Sequence, residues 1–332
     1  MIVTKVKSKK VNKKLLSRGL KLFIILFMAW ILYVQVFEKN ELSKLLIQFN
    51  ESINQKGGWI FLTIAIGLVP VDWALESKKW GLLVNNFQPF NTKQALKSVL
   101  SGVSVAIMTP GRIGEYGGRL VGIKTENQPK AIVANLISSL SQNIITIGIG
   151  LIGALVFMQR FMPMHQNIFL SLMFISSCII TVMLLVYFRI DLFHTVLAYL
   201  PDWNWIKKIR KSVSVFQTMD SAALFSILGI SMLRYITFMS QYVLLIFFFG
   251  VTNDLTASIL GVITIFFLQS NLPLPPALSM LARGEMAIFL WSVFTSNVLG
   301  IIAASFLLWI INLVVPAILG TIIISQATIF ED

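Results

Sequence analysis

The chain has 332 residues, of which 56% are hydrophobic and 12% charged, and its mean hydropathy is +0.81. A soluble domain carries about 25% charged residues, so this composition excludes an ordinary soluble fold. The net charge of +13 raises the question of nucleic acid, but the basic residues flank apolar runs, a distribution that suits a membrane surface and no nucleic acid.

Eight Lys/Arg fall within the first 21 residues, and 1–19 read as a basic cytoplasmic tail anchored on anionic lipid. No small-residue cleavage site follows, against a secretory signal. Residues 20–325 read as one transmembrane domain, and 326–332 as a short polar tail. Full spans are expected at about 20–37, 58–75, 131–158, 168–188, 222–250, 286–303 and 304–325, each near the ~20 residues that cross a bilayer. The last two form one apolar run, in which "FTSNVLG" at 294–300 is the plausible turn. Such runs are too long for barrel strands. The predicted fold is therefore all-α: a polytopic helix bundle of about seven spans.

Two further apolar stretches, 98–123 and 257–283, are interrupted by Pro, Gly and charge, and read as re-entrant segments. Charge tests this. If the first returns to the cytoplasmic side and the second to the outside, nineteen Lys/Arg lie inside and four outside, as the positive-inside rule requires. A full span at 98–123 would move the basic 189–221 loop outside.

Between the spans, "ELSKLLIQFNESI" places Leu42, Leu45, Leu46, Phe49 and Ile53 on one helical face. "WNWIKKIRK" within 191–220 suits an interfacial helix. The lone Cys178 allows no internal disulfide. His165 and His194 lie far apart, no spacing suits a metal, no G-x-S-x-G or P-loop occurs, and no cofactor is expected.

The chemistry concentrates in "TPGRIGEYGGR". Pro110, Gly111 and Gly114 break the helix and allow the backbone to turn, which survives at membrane depth only when buried in protein or lining a wet cavity. Arg112 and Arg119 supply planar forks suited to phosphate. Glu115 between them suits an arginine, a proton or a cationic group. The stretch "NLPLPPALSMLARGE" repeats the pattern with Arg283 and Glu285. Two interrupted segments in corresponding places point to a transport site, and the charge-based topology puts them on opposite faces, as an inverted repeat would. Arg234 lies within 222–250 with Gln241 seven residues on, placed to line one cavity or to snorkel. Asp72 and Glu76, near Lys78 and Lys79, read as a structural ion pair at the inner end of the second span. For Arg112, Glu115, Arg119, Arg283 and Glu285 the alternative is an interfacial loop facing water.

"KKWGLLV", "TPGRIGEYGGR", "RGEMAIFLW" and "LLWIINLVVPAILG" together resemble the lysylphosphatidylglycerol synthase transmembrane region, a flippase-like family, over nearly the whole chain after the first span. The most specific part is Pro110, Gly111, Gly114 and Glu115; the glycine pair usual in the second signature is missing from "LPPALSMLARGE". The resemblance implies a lipid-handling domain with two re-entrant segments around a central cavity, in a bacterial or archaeal cell membrane, and the charge count puts the N-terminus on the cytoplasmic side. An anionic phospholipid or polyprenyl-phosphate headgroup would bind Arg112, Arg119, Glu115, Arg283, Glu285 and Arg234. A separate synthase or glycosyltransferase is a possible partner. The rival expectations are a membrane glycosyl or lipid transferase using Glu115 as base, and a non-catalytic accessory subunit.

Overall fold

The computed structural model describes residues 42–54, 57–162, 164–189, 199, 203–216, 219–270 and 276–326. Every regular element among them is helical. In chain order these are α1 (Leu42–Asn54), α2 (Gly58–Val84), α3 (Thr92–Ala106), the short α4 (Gly114–Gly118), α5 (Gln128–Phe161) and α6 (Gln166–Phe188). Then follow α7 (Asn204–Ser214), α8 (Ser221–Phe248), α9 (Leu255–Ser270), α10 (Pro276–Trp291), α11 (Val298–Trp309) and α12 (Val315–Gln326).

Five helices are long and apolar enough to cross a membrane: α2, the run Thr125–Phe161 that contains α5, α6, α8, and the continuous run Val298–Gln326. The span expected at 20–37 and the two terminal tails lie outside the described residues. Two other expectations change. The second span does not stop at 75: α2 runs on to Val84, because Asp72, Glu76 and Lys79 share one face and turn it into the protein. The turn expected at 294–300 overlaps the observed break, but the spans beside it do not keep the bounds 286–303 and 304–325. Helix α10 ends at Trp291, the chain breaks at 292–297, and Ala303 and Ala304 are buried inside α11. Asn297 makes that break: its Oδ1 accepts from the Gly300 amide at 2.9 Å, and its Nδ2 donates to the Phe249 carbonyl at 3.0 Å.

The bundle has two distinguishable ends. At one, Phe49 of α1 meets Phe248 edge-on at 5.7 Å and Phe161 meets Phe294 at 4.7 Å. At the other, Phe87 meets Phe216 at 6.1 Å and the Tyr187 hydroxyl donates to the Leu224 carbonyl at 3.1 Å. Helix α6 buries only Ser176 and Tyr187 and leaves Phe174, Val182 and Leu185 exposed, an apolar surface far larger than water tolerates.

The expected break at 98–123 is a helical hairpin. Asn91 and Gln94 start α3 with a reciprocal capping box, each bond 2.9 Å. After the apex α4 folds back along α3, so closely that a Cβ on Gly118 would strike the Ser101 carbonyl. The Ser98 hydroxyl donates to the Arg119 carbonyl at 2.6 Å and accepts from the Trp80 indole at 2.9 Å. Gln88 fastens the base, donating to the Gly122 carbonyl at 2.9 Å and accepting from the Lys124 amide at 3.1 Å. Both arms therefore leave at the Phe87 end.

Helices α9 and α10 make a second hairpin, whose connection 271–275 is not described. The Trp291 ring fills the space beside Gly261, and Gln269 at the opposite end reaches the Arg283 carbonyl at 3.5 Å. Its base lies at the Phe248 end. The two hairpins thus enter the bundle from opposite ends.

Candidate functional site

The first hairpin's apex turns through Gly111 at φ 59° and Arg112 at φ 60°, the latter being the one non-glycine residue at positive φ among the described residues. Such a conformation costs about 1–3 kcal/mol and persists where its surroundings dictate it. Here Thr109 dictates it: its hydroxyl accepts from the Gly114 amide at 2.7 Å, and its carbonyl accepts from the Arg112 amide at 3.3 Å. The turn aims the Arg112 side chain outward, 56% exposed, while Nε and Nη2 each lie 3.0 Å from Glu115 Oε2.

Behind Arg112 a continuous ladder of charge runs into the protein. Glu115 Oε1 accepts from Arg119 Nη2 at 2.5 Å, and the same nitrogen donates to Glu76 Oε1 at 2.5 Å. Glu76 Oε2 takes Lys79 at 3.0 Å and Arg234 Nη1 at 2.5 Å. Arg234 then grips Asp72 with two parallel bonds, Nε to Oδ1 and Nη2 to Oδ2, both 3.0 Å. Asp72, Glu76 and Lys79 stand one and two turns apart on a single face of α2, each 2% exposed or less. Glu76 is the hub: it joins α2 to the first hairpin and to α8. The guanidinium of Arg119 lies over the Trp80 ring at 5.1 Å and that of Arg234 over Trp73 at 5.9 Å. The ladder holds four cations, Arg112, Arg119, Lys79 and Arg234, against three carboxylates, Glu115, Glu76 and Asp72.

The ladder borders a cavity of about 600 Å³. Thr109, Gly111 and Arg112 line it from the first hairpin's tip, and Gln269, Ser270 and Arg283 from the second's. Asp72 and Arg234 supply one wall, Gln142 and Thr146 of α5 another, and Asn312 reaches it from a wide π turn at Ile310–Val314. Turns of this kind concentrate at functional sites because they aim one side chain out of helical register. Arg283 makes no ion pair among the described residues, so it adds a further positive charge.

The expected site residues thus separate. Arg112, Arg234 and Arg283 line one cavity, with Gly111 in its rim. Arg119 is 4% exposed, behind the cavity wall, and spends its charge on Glu115 and Glu76. Glu115 also sits behind the wall. Gly114 packs against Val105 and Thr109, and Pro110 opens the short helical turn Pro110–Arg112. Glu285 is exposed and outside the lining. Gln241 does not share the cavity with Arg234: it is fully buried and donates to the Ala65 carbonyl at 3.0 Å. The ion pair expected among Asp72, Glu76, Lys78 and Lys79 forms between Glu76 and Lys79, but as part of the ladder rather than as a local pair.

Sequence reading missed the hub and Asn312. The spacing Asp72–Glu76–Lys79 was a usable signal, since three charges on one face of an apolar helix demand partners. A lone asparagine within "LLWIINLVV" was another. No family model, no curated protein and no solved structure matches the chain.

Proposed function

We propose that this chain is an integral membrane protein that binds an anionic lipid headgroup between its two hairpin tips and passes the lipid from one leaflet to the other. One observation carries the reading: hairpins entering from opposite ends present Arg112 and Arg283 to the same cavity, where Arg234 joins them. An excess of positive charge around one cavity asks for an anion, and guanidinium forks suit phosphate. The bare, apolar α6 and the resemblance to the flippase-like family point the same way. On this reading both hairpins are re-entrant, and irregular backbone is tolerated at depth because it lines a polar cavity. Arg119 and Glu285 leave the list of headgroup contacts, and Arg119 becomes the residue that fixes Glu115 behind Arg112. Nothing favours Glu115 as a general base, since Arg112 and Arg119 both engage it.

The test is reconstitution. In proteoliposomes a fluorescent anionic phospholipid is expected to change leaflet without changing mass, and Arg112→Gln or Arg283→Gln to abolish the movement, with Lys97→Gln as the silent control. Transport by Arg112→Gln at the wild-type rate would remove this reading, and a mass change that depends on Glu115 would replace it with a transferase.

A further inference from the structure

Building on the headgroup reading, we propose that the cavity selects a phosphate ester bearing an uncharged, hydroxyl-rich group, a sugar or polyol, and discriminates against amine-bearing headgroups. Asp72 is the one carboxylate among the described lining residues, and Arg234 engages both its oxygens. Glu76 and Glu115 are tied up behind the wall. An ammonium group entering here meets three guanidiniums and no free carboxylate, and burying such a charge without a partner is strongly unfavourable.

The neutral walls point to hydroxyls. Asn312, Tyr235 and Trp73 line the cavity at 6%, 4% and 8% exposure. Among the described residues, Asn312 Oδ1, the Tyr235 hydroxyl and Trp73 Nε1 have no hydrogen-bond partner, and neither has Gln142 Oε1. The two amide orientations are fixed by their other ends: Asn312 Nδ2 donates to the Leu308 carbonyl at 3.3 Å and Gln142 Nε2 to the Ser231 carbonyl at 3.4 Å. The orphans are therefore two acceptors, one donor and one group that is both. A phosphate accepts only, and leaves the acceptors of Asn312 and Gln142 without use. A hydroxyl both donates and accepts, and satisfies either kind. Trp309, Phe238 and Phe266 add flat apolar surface for the C–H faces of a sugar or polyol.

The experiment measures binding to the full chain in detergent by native mass spectrometry. It uses phosphatidylinositol, phosphatidylserine and phosphatidic acid, so that the first two share a net charge and differ in amine against hydroxyls. Phosphatidylinositol is expected to bind at least about tenfold tighter than either of the others. Asn312→Leu should bring phosphatidylinositol down to the level of phosphatidic acid and leave phosphatidic acid unchanged. Gln142→Leu reads the same effect should the first variant misfold. Asn312→Asp should favour phosphatidylserine relative to wild type. Equal binding of phosphatidylserine and phosphatidylinositol, or variants that weaken all three lipids alike, would overturn the selectivity. If binding still depends on Arg112 in that case, the headgroup reading survives without it. Absence of any Arg112-dependent binding would overturn both.

Discussion

Arg112 and Arg119 are seven residues apart in one motif and have opposite physical situations. Arg112 is half exposed on a strained turn; Arg119 is buried between two carboxylates. Their substitutions should therefore fail differently. Arg119→Gln leaves Glu76 and Glu115 each short of a buried cation, and is expected to lower stability by about 3–5 kcal/mol. Arg112→Gln breaks one partly solvated pair, and is expected to change stability by about 1 kcal/mol or less while abolishing transport. Thermal unfolding in detergent, run beside the proteoliposome assay, separates the two; equal losses of stability would contradict the assignment. Arg112→Lys should lose much of the transport, because a point charge replaces the fork. That Arg112, Arg234 and Arg283 would gather at one cavity was legible in part from residue type and placement. The division of labour between Arg112 and Arg119 was not, because it depends on Glu76, 43 positions away from Arg119 and 158 from Arg234.

At the scale of elements, the first hairpin rests on close approach of its two arms. Gly118 abuts the Ser101 carbonyl, whereas Gly117, its neighbour, has open space where a Cβ would go. Gly118→Ala is expected to pry α4 from α3, costing about 1–3 kcal/mol by overpacking, and Gly117→Ala to change stability by less than about 0.5 kcal/mol. A loss at Gly117 equal to that at Gly118 would contradict the packing account, since helix propensity alone favours alanine at both positions. The existence of this hairpin was legible, since Pro, Gly and charge interrupt an apolar run and the basic loops on either side belong together. The boundaries in the last third were not. Hydropathy is continuous from Ala287 through Ile324 apart from a short polar stretch, and it gives no sign that Asn297 starts a helix while Asn312 is carried within one by a π turn.

For the whole molecule, the arrangement of ends makes a topological statement. Lys97 and Lys124 flank the base of the first hairpin, at the end of the bundle that also carries Lys130 and Lys211, whereas Thr252 and Ser296 lie at the end shared by Phe248 and Phe294. In a Cys178→Ala background, which removes the exposed native thiol, single cysteines at Lys97 and Lys124 are expected to label from the cytoplasm alone, and those at Thr252 and Ser296 from outside alone. Labelling of Lys97 and Lys124 from opposite faces would turn the hairpin into a span and remove the shared cavity. Opposed hairpins were expected from charge counting, and the described parts of the two hairpins start from opposite ends of the bundle. That Thr109 and Arg112 would share a cavity with Gln269 and Arg283 was not legible, because it depends on the packing of α2, α5 and α8 around them.

The charge ladder also has a consequence in time, during synthesis. Helix α2 leaves the ribosome carrying Asp72, Glu76 and Lys79, and its partner Arg234 follows 162 residues after Asp72. At roughly 5–20 residues per second that is an interval of about ten to thirty seconds. Throughout it the carboxylate of Asp72 lacks its counter-ion, and a charge at mid-membrane costs about 2.5–3.5 kcal/mol on insertion scales. A nascent α2 should therefore hold its place poorly until α8 arrives. Ribosome-arrested chains ending near 130 should leave α2 partly extractable by alkali, and chains extended past 250 should fix it in the bilayer.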